Sequence, residues 1–250
     1  VNALTFLVAG ILYLSVGLKH KKAGQSLERQ EVNEQKFLAT MKSSYMQAKK
    51  AHGLLTIMVI VALLNGVLGA MSALIPIVMA GHKSTMLIGS YSFTMALMGV
   101  LVSLGAAFGS MFGQQLFRNV SAFAMTITAG ILSFLTTLSS ITAHIYAILP
   151  FFFLLAATAS IASIKLTQWL VNTVEHKILA STMGLLNTFA MASAPVMTTI
   201  FTTISGISDV RYALIVLLAV EVSVVFVAVR LSVKVKRSQT EAETVIKVSE

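Results

Sequence analysis

The run Leu54-Leu-Thr-Ile-Met-Val-Ile-Val-Ala-Leu-Leu64 contains ten apolar residues and one threonine, and its apolar and polar side chains do not alternate. A strand of a membrane barrel would alternate over about ten positions, so this run predicts a helix. The next 15 residues, as far as Met79, add no charged side chain. A helix over this stretch is long enough to cross about 30 Å of hydrocarbon.

The composition of the 250-residue chain points the same way. Hydrophobic residues make up 56% of it, charged residues only 11%, and the mean hydropathy is +0.86. Soluble domains carry roughly 25% charged residues, so the chain is predicted to be an all-α polytopic membrane protein. Seven stretches are apolar and long enough to span a bilayer: Val1–Leu18, Leu54–Met79, Met86–Phe112, Val120–Leu138, His144–Trp169, Ile178–Ile204 and Ala213–Leu231.

These spans divide the chain into four segments. Residues 1–18 form one transmembrane helix, 19–53 a basic linker, 54–231 a bundle of six transmembrane helices, and 232–250 a polar tail. Of the 18 lysines and arginines, all except Lys83 and Arg211 fall on the side of the linker and the tail. Positive loops are retained in the cytoplasm, so a multi-pass protein of the cell membrane with a cytoplasmic C-terminus is predicted.

The net charge of +9 is interpreted as this topology signal, and no nucleic-acid partner is expected. Within the linker one apolar helical face is predicted, with lysines on the opposite side. Such a helix can lie among lipid headgroups, or it can be a solvated helix packed on the ends of the bundle. The apolar face consists of Phe37, Leu38, Met41, Tyr45 and Ala48.

Val1 does not have the features of a normal protein start. There is no initiator methionine, no basic stretch before the first apolar run, and no small-residue cleavage site after it. We therefore expect that the chain begins within a longer protein. A non-methionine start codon that was translated literally is the alternative.

Glu221 is the only acidic residue deep inside a predicted span, and it lies near the middle of the last one. A carboxylate in hydrocarbon is costly, so Glu221 is expected to face the bundle interior or a wet cavity, or to be protonated. It can bind protons or a cationic substrate, or act as a neutral acid that bonds a neighbouring helix. Asn65 and Asn187 are the other polar residues expected to line a cavity.

Small residues and prolines mark expected contacts and bends. Gly105, Gly109 and Gly113 are spaced by four, which predicts a groove for close approach of another helix. Arg118 follows at the cytoplasmic edge, as a topology anchor or as the basic end of a gating loop. Three prolines lie within or beside spans, where each can create a kink or hinge: Pro76, Pro150 and Pro195.

Motifs of soluble enzymes are missing from the sequence. It contains no phosphate-binding loop, no His-Glu-x-x-His motif and no dinucleotide fingerprint, and it has no cysteine. The five histidines lie far apart, in loops or near span ends, so no metal site is expected. Neither an enzymatic activity nor a cofactor is predicted.

One helix, a long basic loop and six closely connected helices resemble the C-terminal portion of a major facilitator superfamily transporter. The resemblance covers essentially the whole chain, with 1–18 as the sixth helix and 54–231 as the seventh to twelfth. The stretch from Gly105 to Arg118 resembles the glycine-rich eighth helix and its following loop. The stretch from Val174 to Pro195 is similar to the eleventh helix of the macrolide-efflux and enterobactin-exporter-like branch.

This resemblance implies alternating access, in which two halves rock about a small-molecule substrate held near the bilayer midplane. The implied partners are the lipid bilayer, an amphipathic small molecule, a proton as coupling ion, and the N-terminal half that the chain lacks. The implied function is proton-driven export, with Glu221 as the carboxylate to test.

Two other classes of protein remain open, and the first of them has the same topology. A seven-helix receptor or light-driven pump is one alternative, although the last span contains no lysine for a retinal Schiff base. A membrane subunit that does not itself transport is the other.

Overall fold

In the computed structural model, residues 46, 54–174 and 176–249 are described, and all elements in this part of the chain are helices. Six of the seven helices are long and apolar enough to cross a membrane, which confirms helices of the required length for six of the seven predicted spans. The helices are α1 (Leu54–Gly81), α2 (Lys83–Met86), α3 (Tyr91–Leu116), α4 (Ala122–Ile141), α5 (Ile145–Thr173), α6 (His176–Ile207) and α7 (Val210–Ser249).

The first predicted span, Val1–Leu18, lies outside the described residues, as does the apolar face proposed for the linker. Met46, the one described residue of the linker, is helical and exposed. Helix α7 continues beyond the predicted last span, through the predicted tail, to Ser249. Residues 232–249 contain neither proline nor glycine, so no residue of that stretch strongly opposes the continuation of the helix.

The predicted start of the third span was wrong by several residues. Met86 belongs to the short helix α2, and α3 begins at Tyr91. Gly89 has a φ of +72°, a left-handed conformation that glycine adopts readily, and it lies in the bend between α2 and α3. Ser90 then starts α3 as its N-cap, because its hydroxyl accepts a hydrogen bond from the Phe93 backbone N–H at 3.2 Å.

The long helices pack in a pattern with internal symmetry. The most extensive contacts join α1 to α6, α3 to α5, α4 to α5, α4 to α7, and α1 to α7. If α1 is exchanged with α5, α3 with α6 and α4 with α7, these five pairs are converted into one another. The next contact, between α6 and α7, has no comparable equivalent between α3 and α4. Because each group contains three long helices, the two groups would cross a bilayer in opposite directions.

Two apolar clusters fill the interior at opposite ends of the bundle. One gathers around the end of α1 and the start of α7, with Leu74 and Leu214 among its fully buried members. The other gathers around the start of α1 and the later part of α7, and it includes Ile57 and Val224. Val220 packs against both clusters, so the neighbouring Glu221 lies on α7 at the level where the two meet.

Helices α3 and α6 are the least buried of the membrane-length helices. These two helices are equivalent to each other under the exchange of helices described above. Much of each helix is exposed on the surface of the described bundle, as shown by Met111 on α3 and Met191 on α6. The bundle therefore has a closed interior around α1, α4 and α7, and two helices with broad exposed faces.

Candidate functional site

One face of α4 is built from hydroxyl side chains. Four of them occur at positions i, i+3, i+4 and i+7, a spacing that places them on one side of a helix. All four are buried at 2% exposure or less: Ser133, Thr136, Thr137 and Ser140. Thr136 and Ser140 donate hydrogen bonds to carbonyls of their own helix, whereas the other two hydroxyls reach across to α7.

The acceptor of those two hydroxyls is the carboxyl group of Glu221. Its Oε1 atom lies 2.7 Å from the Ser133 Oγ and 2.9 Å from the Thr137 Oγ1. Glu221 is only 1% exposed. Its second oxygen, Oε2, is also buried and has no hydrogen-bond partner among the residues whose side chains are described. Glu221 therefore faces the bundle interior, which is one of the alternatives that the sequence left open.

Helix α1 contributes a third group to this cluster. The Met71 Sδ lies 3.3 Å from the Thr137 Oγ1 and 3.8 Å from the Ser133 Oγ. Each hydroxyl has a single proton, so it can donate to the carboxyl oxygen or to the sulfur, but not fully to both. An ionised carboxylate accepts from both hydroxyls. A neutral acid can instead donate to Thr137, whose own proton then turns to the sulfur.

The helices that form this cluster bring no opposite charge to it within the part of the chain that the structure describes. Neither α1 nor α4 contains a lysine, arginine or histidine, and the nearest basic residue along α7 is Arg230, nine positions away. A buried carboxylate without a counter-charge loses its hydration without electrostatic compensation. The cluster therefore offers the Glu221 carboxyl group two hydroxyl donors but no positive charge from these helices.

The other predicted cavity residues do not join this cluster. Asn65 on α1 is exposed, and its side-chain amide donates to the Val61 carbonyl of its own helix at 2.9 Å. Asn187 on α6 is exposed on the described bundle. The predicted site is thus divided between a buried carboxyl group and two amides on the bundle surface.

The glycines of α3 lie against α5. A β-carbon on Gly105 would collide with the backbone carbonyl oxygen of Phe153, and one on Gly109 would collide with that of Ala157. A β-carbon on Gly113 would meet the side chain of Ile161. The three positions on α5 are also spaced by four residues, so the glycine face of α3 accommodates one face of α5.

A second glycine contact joins α1 to α6. A β-carbon on Gly69 would come within 2.8 Å of the Ala194 Cβ, and one on Gly66 within 2.6 Å of the Met197 Cγ. The exchange of helices described above converts this pair into the α3–α5 pair, so the two pairs are equivalent. Both of the least buried helices are therefore attached to the bundle through glycine positions.

Arg118 lies in the connection between α3 and α4 and is exposed. The same connection is held by Lys165 of α5, whose Nζ donates to the Val120 carbonyl at 2.8 Å. The prolines all lie inside helices, where each removes one backbone donor: Pro76 in α1, Pro150 in α5 and Pro195 in α6.

Sequence reasoning missed the partners of Glu221. The available signal was the helical spacing of four hydroxyls in α4, because serine and threonine are enriched where membrane helices contact one another. Met71 gave no comparable signal, since methionine is an ordinary core residue.

Known proteins supply no identification. The chain was compared with family models, with curated proteins and with solved structures, and no match was found in any of the three.

Proposed function

We propose that the chain is the C-terminal part of a secondary transporter of the major facilitator type, which exports small amphipathic molecules by alternating access. In this proposal the protein is a multi-pass protein of the cell membrane, its C-terminus is cytoplasmic, and a second helical half completes the transport path. The proposal includes no enzymatic step and no cofactor.

The observation that carries the proposal is the symmetry of the helix contacts. Three helices exchange with the next three without changing the principal pairs. Inverted repeats of three helices, nested within each six-helix half, are a feature of this transporter type. A six-helix bundle built only to span the bilayer does not need that repetition.

The exposed faces of α3 and α6 support a place for substrate. Transporter substrates are held near the bilayer midplane between two halves, so the helices of one half that border the path lack partners within that half. Ser103 and Asn187 lie on these exposed faces, near the middle and in the first half of their helices, respectively. In the proposal, these faces border the substrate path.

Proton coupling is assigned to Glu221. Its carboxyl group is the only acidic group in the described bundle interior, and its hydrogen-bond partners accommodate it with or without a proton. Gain or loss of that proton changes the bonds between α4 and α7 and their contact with α1. The proton site and the substrate path are therefore separate in this proposal and communicate through helix packing.

The coupling assignment is tested by Glu221→Gln. The amide keeps the size of the side chain and an oxygen acceptor, but it cannot release a proton. In vesicles from cells that express the protein, an imposed pH gradient is expected to drive extrusion of the amphipathic dye ethidium by the wild type. The variant is expected to lose at least 90% of this driven extrusion at equal membrane abundance.

Thr136→Val is the matched control, because Thr136 is buried on the same face of α4 but donates to the Leu132 carbonyl of its own helix. We expect this variant to retain most of the driven extrusion. If Glu221→Gln extrudes the dye as the wild type does, the coupling assignment is wrong. If the wild type moves no solute and copurifies stably with a separate transporter, the non-transporting subunit is favoured instead.

A further inference from the structure

An apolar groove runs between α4 and α7 on the outside of the bundle. Its volume is about 360 Å³, which lies within the range of small-molecule sites. The groove is separate from the buried Glu221 cluster, although the same two helices form both. Six apolar side chains line it: Ile131, Phe134, Val222, Val225, Phe226 and Val229.

The depth of the groove follows from its position on α7. The membrane-length part of this helix is Val210–Val233, so its middle lies close to Glu221. At a rise of 1.5 Å per residue, Val222 lies near the bilayer midplane. Val229 lies about 10 Å from Val222, towards the C-terminal end of α7. The groove therefore extends along the acyl-chain region of a single leaflet.

A positive charge lies at the end of this groove. Arg230 is nine residues from Glu221, or about 13 Å along the helix, which is close to half of a hydrocarbon layer about 30 Å thick. Its exposed guanidinium group therefore reaches the headgroup region. The positive-charge distribution predicts that this end of α7 is cytoplasmic.

The guanidinium group is held over the groove by an aromatic ring. The Arg230 Cζ lies 4.3 Å from the centroid of the Phe226 ring, a cation–π contact, and Phe226 itself lines the groove. This contact does not use the guanidinium N–H groups as donors to an oxygen, so they remain available to a phosphate.

No carboxylate competes for Arg230 among the residues whose side chains are described. The acidic residues in that part of the chain are Asp209 and Glu221. Asp209 lies before the opposite end of α7, where its Oδ1 accepts from the Arg211 backbone N–H at 2.8 Å. Glu221 is buried and bonded to α4.

We infer that this groove is a binding site for one anionic phospholipid. An acyl chain lies along the apolar lining, and the phosphate receives hydrogen bonds from Arg230. A neutral amphiphile, such as a detergent, can pack against the apolar lining, but it provides no negative charge for Arg230. This inference rests on the bilayer setting of the proposed function but does not depend on transport.

The test measures lipid binding to the purified chain by native mass spectrometry, with phosphatidylglycerol and phosphatidylcholine of identical acyl chains as probes. We expect the wild type to bind phosphatidylglycerol about fivefold more tightly, which corresponds to about 1 kcal/mol for one basic residue at an anionic headgroup. Arg230→Gln should remove this preference. Arg211→Gln, the same charge change at the opposite end of α7, should keep it.

A second pair of variants tests the apolar lining. Val229→Trp places a large ring in the groove and should weaken binding of both lipids at least threefold. Val227→Trp is the matched control, because Val227 has a similar exposure on the same helix but does not line the groove. It should bind both lipids as the wild type does.

The inference is overturned if the two lipids bind equally to the wild type, if Arg211→Gln loses as much preference as Arg230→Gln, or if both tryptophan variants behave alike. A second copy of the chain bound in place of lipid would also overturn it. Lipid binding in the expected pattern by a protein that moves no solute would contradict the proposed function alone.

Discussion

The contact of α4 with α7 and the contact of α3 with α5 hold the same bundle together by different means. Between α4 and α7, a buried carboxyl group accepts hydrogen bonds from two hydroxyls. Between α3 and α5, glycines bring two backbones into direct contact, and the glycine face offers no side-chain donor. The α4–α7 contact can therefore respond to a proton, whereas the α3–α5 contact depends on shape alone.

This difference coincides with the division between buried and exposed helices. The polar contact lies in the closed interior, and the glycine contacts attach the two least buried helices, α3 and α6. Hydrogen bonds between membrane helices contribute modestly, and close packing of small residues replaces much of what the hydrophobic effect supplies in water. In the proposed function, the polar core is the part that senses protons, and the outer helices are positioned by close packing.

The largest expected effect comes from filling the glycine contact of α3. Gly109→Ala would force a methyl group against the carbonyl carbon and oxygen of Ala157, and that backbone cannot rotate away as a side chain can. Overpacking of this kind costs about 1 to 3 kcal/mol, and we expect the upper end of the range. Thermal unfolding in detergent should show a clearly lower Tm.

Gly99→Ala is the control on the same helix, because a β-carbon at Gly99 would meet no atom within 4 Å. Alanine is the better helix former, so its Tm should be unchanged or slightly higher. Equal destabilisation by both alanine variants would show that the effect does not arise at the contact with α5.

A smaller effect is expected at the matching contact of α6. Gly69→Ala would push against the Cβ and Cα of Ala194, at 2.8 and 3.0 Å, so that α6 itself must shift. Gly66→Ala would meet the Met197 side chain, whose flexible thioether can move aside. We expect a loss of about 1 to 2 kcal/mol for Gly69→Ala and less for Gly66→Ala, measured as before.

The order of the three variants is the informative result. The loss of stability should be largest for Gly109→Ala, smaller for Gly69→Ala and smallest for Gly66→Ala. The new methyl group meets backbone atoms at the first position and chiefly a flexible side chain at the last. If Gly66→Ala is the most damaging, the helix pairs are not packed as described.

The smallest expected effect is the coupling between the hydroxyl face and the carboxyl group. A double-mutant cycle with Thr137→Val and Glu221→Gln should give a coupling of about 0.6 kcal/mol, the average for hydrogen bonds between membrane helices. The same cycle with Thr136→Val should give a value near zero, since that hydroxyl donates within its own helix. Equal couplings for both threonines would remove Thr137 from the cluster.

The sequence was sufficient to predict the membrane-length helices that the structure describes, but it did not predict which helices pack against each other. Continuous apolar runs such as residues 54–64 gave the spans, because helix length and hydropathy are local properties. The partner of Glu221 was not local: Thr137 is 84 positions away along the chain, on a helix that the hydropathy pattern does not pair with α7.

The sequence did not show where Glu221, Asn65 and Asn187 lie relative to one another, for a related reason. The three residues share polarity, but a helix presents each residue in a fixed direction, and these directions differ. Asn65 bonds to its own helix and Asn187 lies on an exposed face, whereas Glu221 points inward. The contact of Gly109 with α5 differs in that its glycine spacing was itself a local signal for close helix packing.

The central claim is that the exposed faces of α3 and α6 border a water-accessible path, whereas the outer face of α7 contacts lipid. The chain contains no cysteine, so Ser103→Cys, Asn187→Cys and Val227→Cys each create a single labelling site. In vesicles, a membrane-impermeant maleimide should label the first two positions, at rates that change when a pH gradient is imposed, and should leave the third unlabelled. Labelling of all three positions alike, or of none, would contradict the account.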